Sequence, residues 1–265
     1  MAHDPIAALL ARDRAVVWGG VAVLAAGAWG YLVHLRRGMA GMEGMADMPG
    51  MAPVLAPWTG TDLAFAVAMW AVMMVAMMLP ATAPVVLLFA ALNRTRRERG
   101  GVGVPSAVFV LGYLAVWTGF SVAAALAQWG LHAATLLSPA LTTTSPLVAG
   151  VLLVAAGVYQ LTPLKRACLA RCRSPLGFFL TRWRDGVGGA FRMGADHGVY
   201  CLGCCWVLMG LLFVVGVMNL AWVAAITAFV LLEKVAPGGV LIGRLASVGL
   251  IAAGLLVASA AVRIA

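Results

Sequence analysis

Long apolar stretches constrain the fold of this chain more than any other feature. Seven of them are long enough to cross a bilayer: residues 16–35, 62–92, 104–131, 146–163, 197–217, 219–236 and 240–262. A membrane helix needs about 20 mostly apolar residues, because the bilayer core offers no water to backbone polar groups. Only 10% of the residues are charged, against roughly 25% in a soluble domain. The sequence therefore predicts an all-α polytopic transmembrane helix bundle of about seven spans, with residues 1–265 forming one integral membrane domain.

Basic residues concentrate in two segments between predicted spans and set the predicted orientation. They are Arg94, Arg96, Arg97, Arg99, Lys165, Arg166, Arg171, Arg173, Arg182, Arg184 and Arg192. Such clusters are typical of cytoplasmic loops and of contact with anionic lipid, so no nucleic-acid partner is expected. We expect a multi-pass protein of the bacterial inner membrane with a cytoplasmic N-terminus. Segment 165–196 is then cytoplasmic and segment 36–61 extracytoplasmic, although Arg36 and Arg37 oppose this orientation.

A methionine repeat lies in the predicted outer loop, in the run MAGMEGMADMPGM. Its methionines, spaced three residues apart, are Met39, Met42, Met45, Met48 and Met51. Thioether sulfur is a soft ligand that suits Cu(I). The neighbouring Gly, Ala, Glu, Asp and Pro residues make a poor core and favour a flexible loop. Capture of a soft metal explains this repeat better than a plain linker does.

The second predicted span carries a further methionine stripe in the run MWAVMMVAMMLP. Met69, Met73 and Met77 share one helical face, and Met74 and Met78 form a neighbouring stripe. Methionine also serves as ordinary packing in apolar helices, so the stripe alone does not decide between packing and metal relay. Pro80 and Pro84 predict a kink or an end of this span.

The fifth predicted span opens with DHGVYCLGCCW, which combines one imidazole with three thiols. His197, Cys201, Cys204 and Cys205 fall on one helical face, within an arc of roughly 100°. Buried cysteines often act only as small hydrophobes, but three within five residues beside a histidine favour a metal site. Our predicted topology places this face near the cytoplasmic end of its span.

Two further cysteines precede that span, in TPLKRACLARCRS. Cys168 and Cys172 are one helical turn apart among basic side chains, which stabilise thiolates. These thiols could complete a site with the fifth-span cysteines, form a disulfide, or act as redox thiols. An odd number of cysteines on a predicted reducing side argues against a structural disulfide framework.

Several kinds of transport machinery have no counterpart in the sequence. No acidic residue lies in the middle of a predicted span, whereas divalent-ion carriers and proton-coupled pumps usually need one. No glycine-rich phosphate-binding motif is present, which argues against an ATP-driven pump. Glu233 and Lys234 end the sixth predicted span, and we interpret them as a local ion pair or an interfacial anchor.

Segments of this sequence resemble a known bacterial family. The runs MWAVMMVAMMLP, GVYQLTPLKRACLARCRSP and HGVYCLGCCWVLMGLLFVVGVMNLAW, followed by EKVAP, are similar to the predicted metal-binding integral membrane proteins of unknown function. The resemblance covers roughly residues 62–240. It implies metal binding in the membrane but no reaction. The positions that match the family's motifs are Cys168, Cys172, His197, Cys201, Cys204 and Cys205.

The leading hypothesis is a non-enzymatic Cu(I)-handling protein, either a transporter or a membrane chaperone. The outer methionines would capture Cu(I), Met69, Met73 and Met77 would relay it, and the cysteines with His197 would receive it. A copper chaperone or a copper enzyme is the expected partner. The alternatives are a membrane thiol–disulfide redox protein and a structural zinc site, and neither explains the methionine repeat. The sequence does not address the oligomeric state.

Overall fold

Helices make up the regular structure of the described part of the chain. The computed structural model of the protein describes residues 5–46, 58–134, 136 and 145–264. Its helices are α1 (Pro5–Ala46), α2 (Gly60–Glu98), α3 (Ser106–Ala133), α4 (Pro146–Leu161), α5 (Pro163–Arg173), α6 (Pro175–Arg182), α7 (Gly186–Gly210), α8 (Leu212–Val215), α9 (Leu220–Val235) and α10 (Gly239–Ile264). The prediction of an all-α membrane protein is confirmed.

The number of candidate membrane spans is smaller than the predicted seven. Five segments of the described residues qualify: Arg14–Met39, Gly60–Glu98, Ser106–Ala133, Gly186–Val215 and Gly239–Ala261. A sixth exists if α4 and α5 form one span with a 62° bend. The predicted sixth span corresponds to α9, which has 16 residues. A helix of that length covers only about 24 Å of a core about 30 Å thick.

Two helices differ from the expected boundaries. Helix α2 continues through Pro80 and Pro84 for 39 residues, so these prolines do not end it. Proline is tolerated in membrane helices because neighbouring groups satisfy the freed carbonyls. Helix α1 continues to Ala46, so the first part of the predicted methionine loop is helical. Met48 and Met51 lie outside the described residues, as do the side chains of Met42 and Met45.

Helix α2 supplies much of the core, and its neighbours fix its position. Helices α1 and α3 pack on it, and α4 packs on α10. The indole Nε1 of Trp70 donates a 2.7 Å hydrogen bond to the Oε1 of Gln128, joining α2 to α3 inside the core. The hydroxyl of Ser247 similarly joins α10 to α4, donating to the carbonyl of Gly157 at 2.7 Å. A buried polar group is costly unless it is paired, so these bonds specify the helix neighbours.

Helices α3 and α7 cross in close contact because glycines face the partner backbone. A Cβ on Gly112 would lie 2.0 Å from the carbonyl oxygen of Phe191, and one on Gly194 would lie 1.9 Å from that of Phe109. Neither distance is sterically allowed, so only glycine permits this crossing. The crossing brings Tyr113, the residue after Gly112, against the cysteine face of α7.

Candidate metal centre

Three cysteines of α7 lie together in the interior. Cys201, Cys204 and Cys205 are each 1% exposed and belong to the same core as the buried methionines of α2. The helical repeat places them on one face, as predicted. Cys201 lies at the middle of the Gly186–Val215 segment, however, and not near its end. The predicted span began too late, since α7 starts at Gly186.

Hydrogen bonds hold two of the three sulfurs close to the helix backbone. The Sγ of Cys204 donates to the carbonyl of Cys201 at 3.1 Å, and the Sγ of Cys205 donates to the same carbonyl at 2.8 Å. The Sγ of Cys205 also lies 3.8 Å from the Sδ of Met78 on α2. Donation requires a proton on each of these sulfurs, so Cys204 and Cys205 are thiols in this arrangement.

Helix α5 brings its two cysteines to the same cluster, at different depths. Cys172 is 8% exposed, and its side chain lies next to those of Cys201 and Cys204. Cys168 is less buried and lies beside α7, where its Sγ is 2.7 Å from the position that a Cβ on Gly203 would occupy. None of the five cysteines forms a disulfide. The α5 pair therefore extends the sulfur cluster from the core toward the surface.

A buried cation lies against the sulfur of Cys201. The Nζ of Lys234 on α9 donates to the Sγ of Cys201 at 2.9 Å, and the hydroxyl of Tyr113 lies 3.0 Å from the same sulfur. Lys234 does not pair with its neighbour Glu233, whose carboxylate instead binds Lys165 at 2.7 Å. The predicted local ion pair is therefore wrong. A buried charge needs a counterion, and a thiolate at Cys201 provides one for Lys234.

The methionines of α2 flank this cluster. Met73, Met74, Met77 and Met78 are fully buried in the core that contains the α7 cysteines. Met69 is partly buried and packs against the same core. The predicted stripe therefore lies in the same core as the cysteines, and the methionine sulfur 3.8 Å from a cysteine sulfur belongs to Met78, in the neighbouring stripe. Met39 is the last residue of the candidate membrane span Arg14–Met39.

His197 lies one turn before Cys201 but faces aromatic rings. The centroid of its ring is 5.9 Å from that of Tyr113 and 6.1 Å from that of Phe178. Its Nδ1 is buried and has no hydrogen-bond partner. An unpartnered buried nitrogen can accept a proton or a metal ion. No thiol of the cluster hydrogen-bonds to this nitrogen.

The side chains of the described residues do not form a ready-made metal site. No group of three or more His, Cys, Asp or Glu side chains within that part of the chain is positioned to hold a metal ion. Two of the thiols are instead engaged with the carbonyl of Cys201. The donor set nevertheless fits Cu(I), because thiols and thioethers are soft ligands. Binding requires these thiols to rotate.

Sequence reasoning missed three residues that contact the cluster: Met78, Tyr113 and Lys234. The sequence pattern contained Met78, but the metal relay was assigned to the neighbouring stripe that contains Met77. Lys234 and Tyr113 lie on α9 and α3, and only the tertiary fold brings them to Cys201. A signal for Lys234 was its occurrence at the end of an apolar stretch, since buried lysines usually have a partner.

Fold and site together define a class: a multi-pass helical membrane protein with a buried cluster of thiols and thioethers. The chain belongs to the PpoB2 copper chaperone family, whose model matches residues 67–257. That range includes the sulfur-bearing parts of α2, α5 and α7, together with Lys234. No curated protein and no solved structure matches the chain.

Proposed function

We propose that this protein receives Cu(I) within the membrane, holds it on the buried sulfur cluster and hands it to a copper enzyme. Within that cluster, the sulfurs that would hold Cu(I) are those of Cys172, Cys201, Cys204, Cys205 and Met78. The observation that carries the proposal is the convergence of these five sulfurs, from three helices, in one core. Membership of a copper chaperone family supports the choice of cargo.

The chemistry of the cluster favours Cu(I) over zinc. Zinc in structural sites takes four thiolate or imidazole ligands in a tetrahedron. Here a thioether lies beside a thiol, 3.8 Å from sulfur to sulfur, and thioethers select Cu(I). The surrounding core is apolar and closed, which also excludes water and oxidants from a bound Cu(I) ion.

Lys234 balances the charge of a loaded site. Two thiolates and one Cu(I) ion carry a net charge of minus one, and the ammonium group 2.9 Å from Cys201 neutralises it. The second thiolate forms when one of the neighbouring thiols loses its proton to solvent as Cu(I) binds. Without Lys234 the complex would leave an uncompensated charge in the core, which is strongly unfavourable.

Cys168 is the natural point of exchange. It is the most exposed of the five cysteines and lies one helical turn from the buried Cys172. Successive thiol ligands allow Cu(I) to pass from one sulfur to the next without a free ion. We infer that Cu(I) leaves or enters the cluster through these two residues of α5.

The methionines provide the second half of the route. Along α2, Met69, Met73 and Met77 cover about 12 Å of helix axis, and the next residue, Met78, lies beside Cys205. Weak thioether ligands can pass an ion along without trapping it. In this proposal the repeat from Met39 to Met51 captures Cu(I) on the outer side of the membrane and passes the ion to the methionines of α2.

Transfer kinetics test the proposal. Purified protein loaded with Cu(I) is mixed with a competing chelator, and the rate of copper loss is followed optically. Cys168→Ser should retain copper but release it more slowly, whereas Cys201→Ser should retain little copper. Equal rates in Cys168→Ser and the wild type would contradict the proposed exchange point.

Delivery and net transport differ in cells. With delivery, cells lacking the protein contain normal total copper but have an underloaded copper enzyme. A fall in total cellular copper in these cells would instead show transport. Thiol trapping followed by mass spectrometry addresses the redox alternative, because reversible disulfides among the five cysteines would support it.

A further inference from the structure

A cationic cavity of about 290 Å³ lies apart from the sulfurs, along α5, where the ends of α4 and α9 meet the start of α10. Its polar lining comprises Gln160, Lys165, Arg166, Arg173, Glu233 and Arg244. Four of these six side chains are cationic and one is anionic. Some of these charges are already compensated within the protein.

Lys165 and Glu233 compensate each other. The Nζ of Lys165 lies 2.7 Å from one carboxylate oxygen of Glu233 and 2.8 Å from the other, and both side chains are 2% exposed. Gly243 makes room for the pair, since a Cβ there would lie 2.4 Å from the carboxylate. Lys165 also donates to the Oε1 of Gln160. This buried ion pair has no net charge and lines the cavity.

Arg173 is engaged with the end of α9. Its guanidinium donates to the carbonyls of Glu233, Ala236 and Pro237, with distances of 2.9 Å to Ala236 and 3.4 Å to Pro237. Carbonyls at a helix C-terminus have no intrahelical partner and carry partial negative charge. Arg173 therefore caps α9 rather than offering its charge to a ligand.

Two arginines and one amide remain available. Arg166 and Arg244 are exposed, line the cavity and make no ion pair with the described residues. The Nε2 of Gln160 is buried in a residue only 7% exposed, and it has no hydrogen-bond partner. A buried donor without a partner is unusual in a folded protein. A ligand with negatively charged acceptor oxygens would compensate both arginines, and Gln160, which also lines the cavity, carries a buried donor without a partner.

The surroundings of the cavity favour a lipid as the source of that anion. Leu161 and Val240 line it as exposed apolar residues, 46% and 44% exposed. An apolar groove of about 590 Å³ runs along α4 and α10 and reaches Thr162, beside Leu161. We propose that the cavity binds the phosphate of an anionic phospholipid, whose acyl chains lie along this groove. Basic pockets between membrane helices bind such headgroups.

The test counts lipids bound to the full-length protein. Protein purified in detergent is mixed with phosphatidylglycerol or with phosphatidylcholine, and native mass spectrometry measures retention. The wild type should retain about one phosphatidylglycerol in preference to phosphatidylcholine. Arg166→Gln with Arg244→Gln should weaken retention by about five-fold for each arginine removed. Gln160→Glu should weaken it as well, because a carboxylate would replace the donor.

Arg171→Gln is the matched control. Arg171 lies on the same helix as Arg166 and is exposed, but it faces the ring of Tyr200 at 5.7 Å and does not line the cavity. Its loss should leave retention unchanged. Equal retention of both lipids, or an equal effect of Arg171→Gln, would overturn the proposal. Inorganic phosphate that binds without lipid and displaces phosphatidylglycerol would overturn the lipid assignment and indicate a free-anion site.

The proposal does not depend on copper. Repeating the measurement with the copper-free protein and with Cys201→Ser should give the same lipid retention, because no sulfur lines the cavity. Loss of retention in Cys201→Ser would contradict a separate site. The exposed positions of both arginines make misfolding of the double variant unexpected, and thermal unfolding of each variant verifies this.

Discussion

The ammonium group of Lys234 donates to the sulfur of Cys201 at 2.9 Å, although 33 residues separate them in sequence. The lysine and the cysteine are both buried. This contact joins α9 to α7 at the centre of the sulfur cluster. It places a positive charge against the sulfurs, and that charge offsets the negative charge that they would carry with a bound metal ion.

Lys234→Met should lower the affinity for Cu(I) by at least about ten-fold, since removing one member of a buried charge pair usually costs several kcal/mol. Titration against a Cu(I) chelator measures this. Lys165→Met is the control, because it removes a buried lysine that pairs with Glu233 and not with sulfur. An equal loss of affinity in both folded variants would contradict a specific role of Lys234 beside Cys201.

Met78→Leu should weaken Cu(I) binding by about ten-fold while the fold persists, because a Leu–Met exchange usually costs less than about 1.5 kcal/mol in stability. The matched control is Met193→Leu, a methionine of α7 that is 1% exposed in a separate core cluster. X-ray absorption of bound copper should show fewer sulfur neighbours only in Met78→Leu. The same spectrum for both variants would exclude Met78 as a ligand.

Replacing Met39, Met42, Met45, Met48 and Met51 by leucine should slow copper acquisition at low external copper but leave the affinity of the purified protein unchanged. The physical reason is that these residues capture the ion, whereas the cysteines retain it. Loading rates in proteoliposomes at several copper concentrations measure this. A loss of equilibrium affinity equal to that of Cys201→Ser would assign the repeat to the site itself.

Gly194→Ala should destabilise the protein by more than the 1–3 kcal/mol typical of overpacking. The new methyl group would meet the carbonyl of Phe109 at 1.9 Å, and backbone cannot move aside easily. Thermal unfolding in detergent measures the loss. Gly119→Ala on α3 is the control, since nothing lies within 4 Å of its added Cβ. Similar melting temperatures for both variants would contradict the close crossing of α3 and α7.

The cysteine face could be predicted from the sequence, but its partners could not. Helical periodicity alone places Cys201, Cys204 and Cys205 together. The choice between Met77 and Met78 needs the fold, because α2 is apolar all round and periodicity does not identify one face. Lys234 likewise looked like a partner of Glu233 until the tertiary structure showed that Lys165 takes that role.

The span count shows a similar limit. Hydropathy identified an apolar stretch at 219–236, but the helix there ends at Val235 after 16 residues. Composition does not reveal where a helix begins relative to the bilayer. The same limit explains why the cluster was expected near the end of its span, since the polar residues before His197 concealed the first turns of α7.

The stoichiometry of bound Cu(I) shows whether the buried sulfurs hold the metal. Wild-type protein and Cys201→Ser are purified in detergent, titrated with Cu(I) against a competing chelator and analysed for metal content. We expect about one tightly bound copper per wild-type chain and its loss in Cys201→Ser, with both proteins folded. Equal copper in the two proteins, or none in the wild type, would contradict it.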